Sequence, residues 1–419
     1  MTLSKRIITI IFLNCMLSLT VVAQAENSYF SLEDALRDPS GAKRLMLRKQ
    51  METLSDSIGL LTELKTLDLR GCGLTSLPNS ISKLTKLESL ELGANAFITI
   101  PASVLELPNL KILVLDKNKI SELPPNIGRL KNLEVLNLEN NQIYHLTDSI
   151  ASLENLRNLN LAWNKLSTLP GSIGQLTNLE TLTVWVNKIV VLPNEIGELA
   201  KLEHLNLSNN DIANLPDELY NLDQLKFLDA GANKISSISE LIHKLSCLET
   251  LNLVMNKINE LPKSIGKLQR LKELLVGSNN LVELPHSIAN LNSLSIIHLS
   301  RNKLVALPAY IGSLAMLETI DLSENPITEL PESLCNLSRL KKISINYTEL
   351  KYLPQQIGLL INLTDLSVLS NEITKLPDSL FELKNLKNLT LPRNEIFLRQ
   401  RDMIEKRLPT CRIRFMTVY

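Results

Sequence analysis

The chain has 419 residues with 44 basic and 44 acidic side chains, so its formal net charge at pH 7 is zero. This balance argues against a nucleic-acid partner, which usually needs a basic surface, and against electrostatic attachment to a membrane. The length suggests two or three globular domains, unless the chain consists of repeats that each pack only on their neighbours.

Residues 1–25 are predicted to be a secretory signal peptide. Lys5 and Arg6 form a charged start, residues 7–22 are mostly apolar, and the chain then reaches a small-x-small cleavage pattern that ends at Ala25. We therefore expect cleavage near Ala25 and a secreted or cell-envelope location. The mature chain should have no membrane span.

Two other interpretations of the same segment remain open. The first is an uncleaved membrane anchor, although the apolar run is shorter than the roughly 20 residues that a spanning helix needs. The second is lipidation at Cys15, although residues 12–14 are a poor lipoprotein signal.

Residues 26–48 are predicted to cap the end of a repeat array. Ser31–Leu36 can form a short helix with Ser31 as its N-cap, and Leu45–Leu47 resembles a strand. A repeat array exposes its apolar core at both ends, so a cover of this kind is expected.

Residues 49–396 follow a 23-residue period: about fifteen full repeats follow a degenerate first one. The clearest copy, residues 133–143, has the pattern L-x-x-L-x-L-x-x-N-x-L. Its asparagine recurs at intervals of 23 or a multiple of 23, and Cys72 and Thr348 occupy the two remaining positions. The recurring residues are Asn95, Asn118, Asn141, Asn164, Asn187, Asn210, Asn233, Asn256, Asn279, Asn302, Asn325, Asn371 and Asn394.

Each half of the repeat predicts a different element. Alternation around Leu136 and Leu138 indicates a short strand with one buried face. An asparagine where the chain leaves the strand can donate to and accept from backbone groups that would otherwise be buried without partners. The second half, L-P-x-x-I-G-x-L as at residues 123–130, predicts a short helical or 3-10 turn that starts at proline.

These elements predict an α/β solenoid. Its strands should stack into a parallel sheet on a concave face, with the short helical or 3-10 segments on the convex face. Residues 397–419 should close the other end with a charged helix over residues 398–407 and a strand near residues 411–415. Met403, Ile404 and Leu408 are the predicted apolar contacts of that helix.

Four cysteines remain after signal cleavage: Cys72, Cys247, Cys335 and Cys411. The register places the closest pair three or more strand spacings apart, about 14 Å, whereas a disulfide needs Cα atoms within about 7 Å. We expect four unpaired and mostly buried thiols.

No recognised catalytic motif accompanies the repeat. The chain has no glycine-rich phosphate loop, H-E-x-x-H, G-x-S-x-G or paired C-x-x-C pattern, so we expect neither an enzyme nor a cofactor or metal site. Asp68 with Glu91, and Asp116 with Glu139, are repeat equivalents that are expected to form a solvated surface.

Large side chains at the strand ends are the candidate partner-binding residues. Most outward strand positions are polar and are expected on the concave surface: Asn137, Asn158, Asn160, Thr183, Asn206, Asp229 and Asn252. Exposed apolar and aromatic groups there would mark a binding site for a protein or a glycan; packing of the tryptophans along the sheet edge is the alternative. The candidates are Trp163, Trp185, Val186, His204, Phe227, Val254, Met255 and Leu275, with a smaller second group of Arg301, Lys342 and Tyr347.

A lysine column on the turn edge has two interpretations, solubility with edge protection or a docking strip for an acidic partner. It consists of Lys119, Lys165, Lys188, Lys234, Lys257 and Lys303.

The repeat resembles the 23-residue leucine-rich-repeat group with the L-P-x-x-I-G signature, over about residues 45–396. The segments at 31–39 and 408–413 also resemble the ends of exported bacterial proteins of this group. The resemblance implies a leucine-rich-repeat horseshoe and a monomeric binding protein that is secreted or in the cell envelope. An intracellular scaffold of the kind that binds small GTPases and a purely structural envelope protein are the alternatives.

Overall fold

The computed structural model describes residues 27–392 and 395–416. The predicted signal peptide, Glu26, Asn394 and residues 417–419 lie outside the described residues. The chain divides into two compact units, Met1–Ile189 and Val190–Tyr419.

The first unit is a stack of short parallel strands in which neighbouring repeats pair leucine with leucine. Leu67 is in register with Leu90, and Leu90 with Leu113, so each repeat adds one strand. The strands are β1 (Ser28–Tyr29), β2 (Arg44–Met46), β3 (Thr66–Asp68), β4 (Ser89–Glu91), β5 (Ile112–Val114), β6 (Val135–Asn137), β7 (Asn158–Asn160) and β8 (Thr181–Thr183).

The second unit continues the same pattern in its own parallel stack. Leu228 is in register with Leu205 and with Leu251. The strands are β9 (His204–Asn206), β10 (Phe227–Asp229), β11 (Thr250–Asn252), β12 (Glu273–Leu275), β13 (Ile296–His298), β14 (Thr319–Asp321), β15 (Lys342–Ser344), β16 (Asp365–Ser367), β17 (Asn388–Pro392) and β18 (Arg412–Met416). In both units we call the solvent-facing surface of the strands and their ends the strand face.

The second half of each repeat is a 3-10 turn, as predicted. In the first unit these turns are Asp56–Leu60, Asn79–Lys83, Ala102–Glu106, Ile127–Arg129, Asp148–Ser152 and Gly171–Gln175. In the second unit they are Asn194–Glu198, Asp217–Asn221, Glu240–Lys244, Lys263–Lys267, His286–Asn290, Ala309–Ser313, Glu332–Asn336, Ile357–Leu359 and Asp378–Glu382. The solenoid with a parallel sheet and short 3-10 segments is therefore confirmed.

Proline sets the start of most of these turns because its φ is already near −65°. Pro78, for example, has φ −68° and its carbonyl accepts from Ile81 N at 3.2 Å. Where proline is replaced, a hydroxyl takes over the cap: Thr147 Oγ1 accepts from Ser149 N at 3.1 Å. The replacement of proline by threonine at this position therefore preserves the 3-10 turn.

The asparagine column is a structural ladder, as predicted. The Asn118 amide donates to Leu92 O and to Leu115 O, each at 3.0 Å, and its carbonyl accepts from Phe97 N at 3.0 Å. Each such side chain links backbone groups of neighbouring repeats that would otherwise be buried without partners. At the first position Cys72 Sγ retains one contact of this kind, to Leu47 O at 3.2 Å.

A second asparagine ladder was not predicted. Its members also recur every 23 residues, and each amide donates to a backbone carbonyl of the preceding repeat, as from Asn132 to Pro108 O at 2.8 Å. The other members include Asn109, Asn155 and Asn178 in the first unit and Asn362 and Asn385 in the second. The spacing alone could have revealed this column.

The N-terminal end has the predicted elements. Helix α1 spans Leu32–Arg37, with Ser31 as its N-cap accepting from Asp34 N at 3.1 Å. The predicted strand over Leu45–Leu47 is observed one residue earlier, at β2. The domain boundaries at residues 26–48, 49–396 and 397–419 stay a prediction.

The C-terminal end differs in two respects from the prediction. The helix is divided into α2 (Glu395–Arg399) and α3 (Arg401–Arg407). Ile404 and Leu408 are buried as expected, but Met403 is 42% exposed, so its predicted apolar contact is wrong. Arg407 of α3 makes a cation–π contact, since its guanidinium lies 3.8 Å from the Phe381 ring centroid.

The cysteine prediction is confirmed among the described residues. Cys72, Cys247, Cys335 and Cys411 are all free thiols. Cys72 and Cys335 are buried, and the other two are half-buried. Burial raises the pKa of the Cys335 thiol to about 12, which makes it unreactive as a nucleophile.

Candidate functional site

The strand ends turn through the left-handed region of backbone conformation. The residue just before the ladder asparagine has a positive φ in repeat after repeat, and it is rarely glycine. Among the predicted partner-binding residues, Trp163 (φ 54°), Val186 (φ 55°) and Met255 (φ 59°) occupy this position, as do Arg301 and Tyr347 of the second group. The sequence prediction missed this geometry, although Gly71 at the first such position was a signal for it.

A polar residue at the end of the strand stabilises several of these turns. Asn160 Oδ1 accepts from Ala162 N at 3.0 Å, and Asp229 Oδ1 accepts from Gly231 N at 2.9 Å. Because of these local bonds the side chains fold back onto the backbone. The expectation that these outward positions form the accessible concave surface is therefore wrong for a set that is at most 7% exposed: Asn137, Asn160, Thr183, Asn206 and Asp229.

The two tryptophans of the chain form one aromatic pair in the first unit. Their ring centroids are 5.5 Å apart and the planes meet at 81°, an edge-to-face contact. Trp163 N also donates to Trp185 O at 2.9 Å. Trp163 is still 46% exposed, so the pair packs on itself and leaves aromatic surface accessible to solvent. Val186 follows Trp185 and is half-buried.

Carboxylates occupy the strand face before the tryptophans. Asp68 is held by two arginines, with Arg48 Nη2 at 2.7 Å and Arg70 Nη2 at 2.8 Å from its Oδ2. Glu91 Oε2 lies 2.8 Å from Arg70 Nε. Burial raises the pKa of the Glu91 carboxyl, against the opposing charge of Arg70. The charges of Asp68 and Glu91 are therefore compensated by neighbouring arginines.

The next two carboxylates have weaker compensation. Glu139 Oε2 accepts from the Asn160 amide at 3.0 Å, and Asp116 lies 3.9 Å from Lys117 Nζ. Burial raises the pKa of both carboxyls; the Asn160 hydrogen bond opposes the rise at Glu139 and Lys117 opposes it at Asp116. The predicted pairs of repeat equivalents are therefore partly desolvated, whereas a fully solvated surface was expected.

In the second unit His204 stacks on Phe227, with ring centroids 6.2 Å apart and planes at 29°. Phe227 is only 6% exposed, which corrects the expectation that it is an exposed aromatic group. Burial lowers the pKa of His204, so this histidine is neutral at pH 7. The stacked imidazole shields the phenyl ring of Phe227 from solvent.

The remaining candidates differ in accessibility. Met255 is 59% exposed at its left-handed turn, while Val254 and Leu275 are half-buried. In the second group, Arg301 Nε is paired with Glu324 Oε1 at 2.8 Å and Tyr347 is 47% exposed. The first unit thus holds Trp163, Trp185 and Val186, and the second unit holds the other five partner-binding candidates.

No group of three or more metal-ligating side chains that could hold an ion occurs in the described parts of the chain. Within residues 27–392 and 395–416, no helix is long and apolar enough to cross a membrane. The strand face presents aromatic, acidic and apolar areas.

Comparison with protein families decides the relationship. A family described as leucine-rich repeat region matches residues 101–188, 217–304 and 296–408, and a second, described as leucine rich repeat, matches residues 62–120 and 177–235. The chain belongs to the leucine-rich-repeat family. Leucine-rich repeats are typical of protein-binding scaffolds.

Solved leucine-rich-repeat structures are similar over most of the chain. An LRR protein of Leptospira interrogans is 36% identical, with a TM-score of 0.89, and the match covers 93% of this chain and all of that one. A TDR receptor is 28% identical (TM-score 0.73), with 88% and 67% covered. The ectodomain of the Arabidopsis thaliana receptor kinase GASSHO1/SCHENGEN3, in complex with CASPARIAN STRIP INTEGRITY FACTOR 2, is 26% identical (TM-score 0.57), with 89% and 53% covered. None of the curated proteins matches.

Proposed function

We propose that this leucine-rich-repeat protein is an exported recognition module that binds a protein or a glycan on its strand face and catalyses no reaction. The observation that carries the proposal is the Trp163–Trp185 pair, in which Trp163 remains 46% exposed. Tryptophan is enriched at binding hot spots because it contributes a large, rigid apolar surface. The repeat scaffold supports this role, since a stiff surface loses little conformational entropy when it binds.

The relatives favour binding over catalysis. The Arabidopsis thaliana receptor ectodomain was solved together with a factor that it binds. The Leptospira interrogans LRR protein favours a bacterial protein of the kind predicted from the sequence ends. By analogy with these relatives, we favour a protein over a glycan as the partner.

Substitutions that keep the local backbone test the binding role. Asn140 and Asn209 occupy the left-handed position of Trp163, so Trp163→Asn removes the indole and preserves the turn. Binders would be selected from a peptide display library and a glycan array, and their affinities measured for Trp163→Asn and Trp185→Ala. We expect at least tenfold weaker binding, in the range of aromatic hot spots.

Tyr144→Ser is the matched control, because it removes a 56% exposed aromatic ring from the same unit and introduces the residue found at the equivalent positions 121 and 167. Binders that tolerate both tryptophan substitutions would contradict the proposed surface. If the library yields no binder and substitutions across the strand face leave the function of the natural protein unchanged, the structural envelope alternative would be favoured.

Export is tested by cell fractionation with N-terminal sequencing of the natural protein. A start at Glu26 outside the cytoplasm is expected from the predicted signal peptide. An intact Met1 in the cytosol would contradict export and would favour the intracellular scaffold.

A further inference from the structure

We propose that the Trp163–Trp185 pair and the carboxylates of Asp116 and Glu139 together form a docking surface for a basic segment of a protein partner. An arginine side chain of that segment would stack on one indole ring and pair with a carboxylate. The inference rests on the proposed binding function and adds the chemistry of the partner. We call this set of four residues the acidic–aromatic surface.

The repeat register places three of the four residues in one row, and Trp163 follows the row's fourth position, Ala162. Asp116, Glu139, Ala162 and Trp185 follow each other at 23-residue intervals. Backbone hydrogen bonds connect these positions: Asn140 N donates to Ala162 O at 2.9 Å, and Trp163 N donates to Trp185 O at 2.9 Å. Adjacent parallel strands are about 4.8 Å apart, so the backbones of Glu139 and Trp185 are about 10 Å apart.

The residue between them does not obstruct this row. Ala162 has only a methyl group and is fully buried. The row itself therefore contributes no long side chain between Glu139 and Trp185. A side chain of the length of arginine can span this distance.

The charges in the row favour a cation from outside. No lysine, arginine or histidine nitrogen lies within 4.0 Å of the Glu139 carboxylate among the described residues, and the nearest one to Asp116 is Lys117 at 3.9 Å. Asp68, which lies outside this row in register with Glu91, already has Arg48 and Arg70 within 2.8 Å. Among the described residues, Glu139 thus has no cation within 4.0 Å, and Asp116 has only the long ion pair to Lys117.

Arginine satisfies both parts of the surface at once. Its planar guanidinium can stack on an indole face and can donate to a carboxylate through two parallel hydrogen bonds. A neutral sugar ring could also stack on an indole, but it would supply no counter-charge to Glu139. The formal net charge of the whole chain is zero, so the preference for a cation is a property of this surface.

Intrinsic fluorescence reports on this surface directly, because Trp163 and Trp185 are the two tryptophans of the chain. The full chain would be titrated with the peptide amide (Gly-Arg)4, and in parallel with (Gly-Lys)4 and (Gly-Gln)4. We expect a saturable change in emission with the arginine peptide, a weaker response with the lysine peptide, and none with the glutamine peptide. The response should be lost in about 0.5 M salt, where charges are screened over a few ångströms.

Glu139→Gln and Asp116→Asn should each weaken binding of the arginine peptide about tenfold, in keeping with the loss of one charge-assisted contact. The amide oxygen that Glu139→Gln introduces would still accept from the Asn160 amide, so the fold is preserved. Glu154→Gln is the control, since it removes the same charge from an exposed position of the same unit. Equal affinities for the wild type and both variants would overturn the proposal.

The probes also separate this proposal from the broader function. A saturable response to neutral oligosaccharides or to the glutamine peptide, equal to that of the arginine peptide, would overturn the basic partner and leave the binding role in place. A response to the arginine peptide that disappears in Glu139→Gln supports both. Absence of any response to the basic peptides overturns this proposal alone, because the library selections test the binding function independently.

Discussion

Asp229 is a carboxylic acid at a position where both neighbouring strands carry an amide. It ends β10, is 1% exposed, and its Oδ1 accepts from Gly231 N at 2.9 Å. Asparagine occupies the equivalent positions in the neighbouring strands, at Asn206 and Asn252. We therefore expect Asp229→Asn to keep the hydrogen bond and to remove a buried ionisable group.

The magnitude follows from the pKa of Asp229. Burial raises it from 3.8 to about 6, against the opposing hydrogen bonds from Gly231 and Asn252. Below pH 3.8 the carboxyl is protonated in both the folded and unfolded states. As the pH rises towards 6 the unfolded chain ionises first, so the free energy of unfolding falls. At about 1.4 kcal/mol per pKa unit, the loss above pH 6 is at most about 3 kcal/mol.

Asp229→Asn should recover this loss at pH 7.5 and change little at pH 3.5. The measurement is urea unfolding at both pH values, with the transition midpoints compared at equal slopes. The control is Asp321→Asn, since Asp321 makes the same turn bond, to Ser323 N at 3.0 Å, but is more exposed. A stabilisation at pH 7.5 no greater than at pH 3.5 would refute the reasoning about burial.

Three further outcomes are expected. Val186→Asn should stabilise the fold by about 1 kcal/mol, because a β-branched residue with φ 55° is strained and asparagine tolerates this region; unchanged thermal stability would contradict this. Asn141→Ala should cost about 2–4 kcal/mol, since its buried amide makes three ladder bonds, whereas the exposed Gln142→Ala should cost less than about 0.5 kcal/mol in the same urea assay. A thiol reagent should leave Cys335 unmodified in the native protein and modify it after denaturation; rapid native labelling would show that it is accessible.

The 23-residue period predicted much of the fold because a repeat contacts only its neighbours. Under that condition local sequence becomes local structure: Leu136 lies in a buried strand, Asn118 forms the ladder, and Pro78 begins a 3-10 turn. The same register correctly predicted that the four cysteines form no disulfide with one another.

The candidate site was predicted less completely, because exposure depends on neighbouring side chains. The strand alternation placed Asn160 and Asp229 on the outward side, but it could not show that their polar atoms turn back to the backbone. Nor could it show that His204 covers Phe227. Both corrections come from contacts that alternation does not encode.

By itself, the sequence determined the repeat length, the alternation of strand and 3-10 turn, and the row of positions that contains Glu139, Ala162 and Trp185. Only the tertiary structure decided which of these side chains are accessible and which charges are compensated. The physical reason is that repetition fixes the backbone through bonds common to every repeat. The solvent exposure and pKa of each side chain depend instead on its own neighbours, which differ from one repeat to the next.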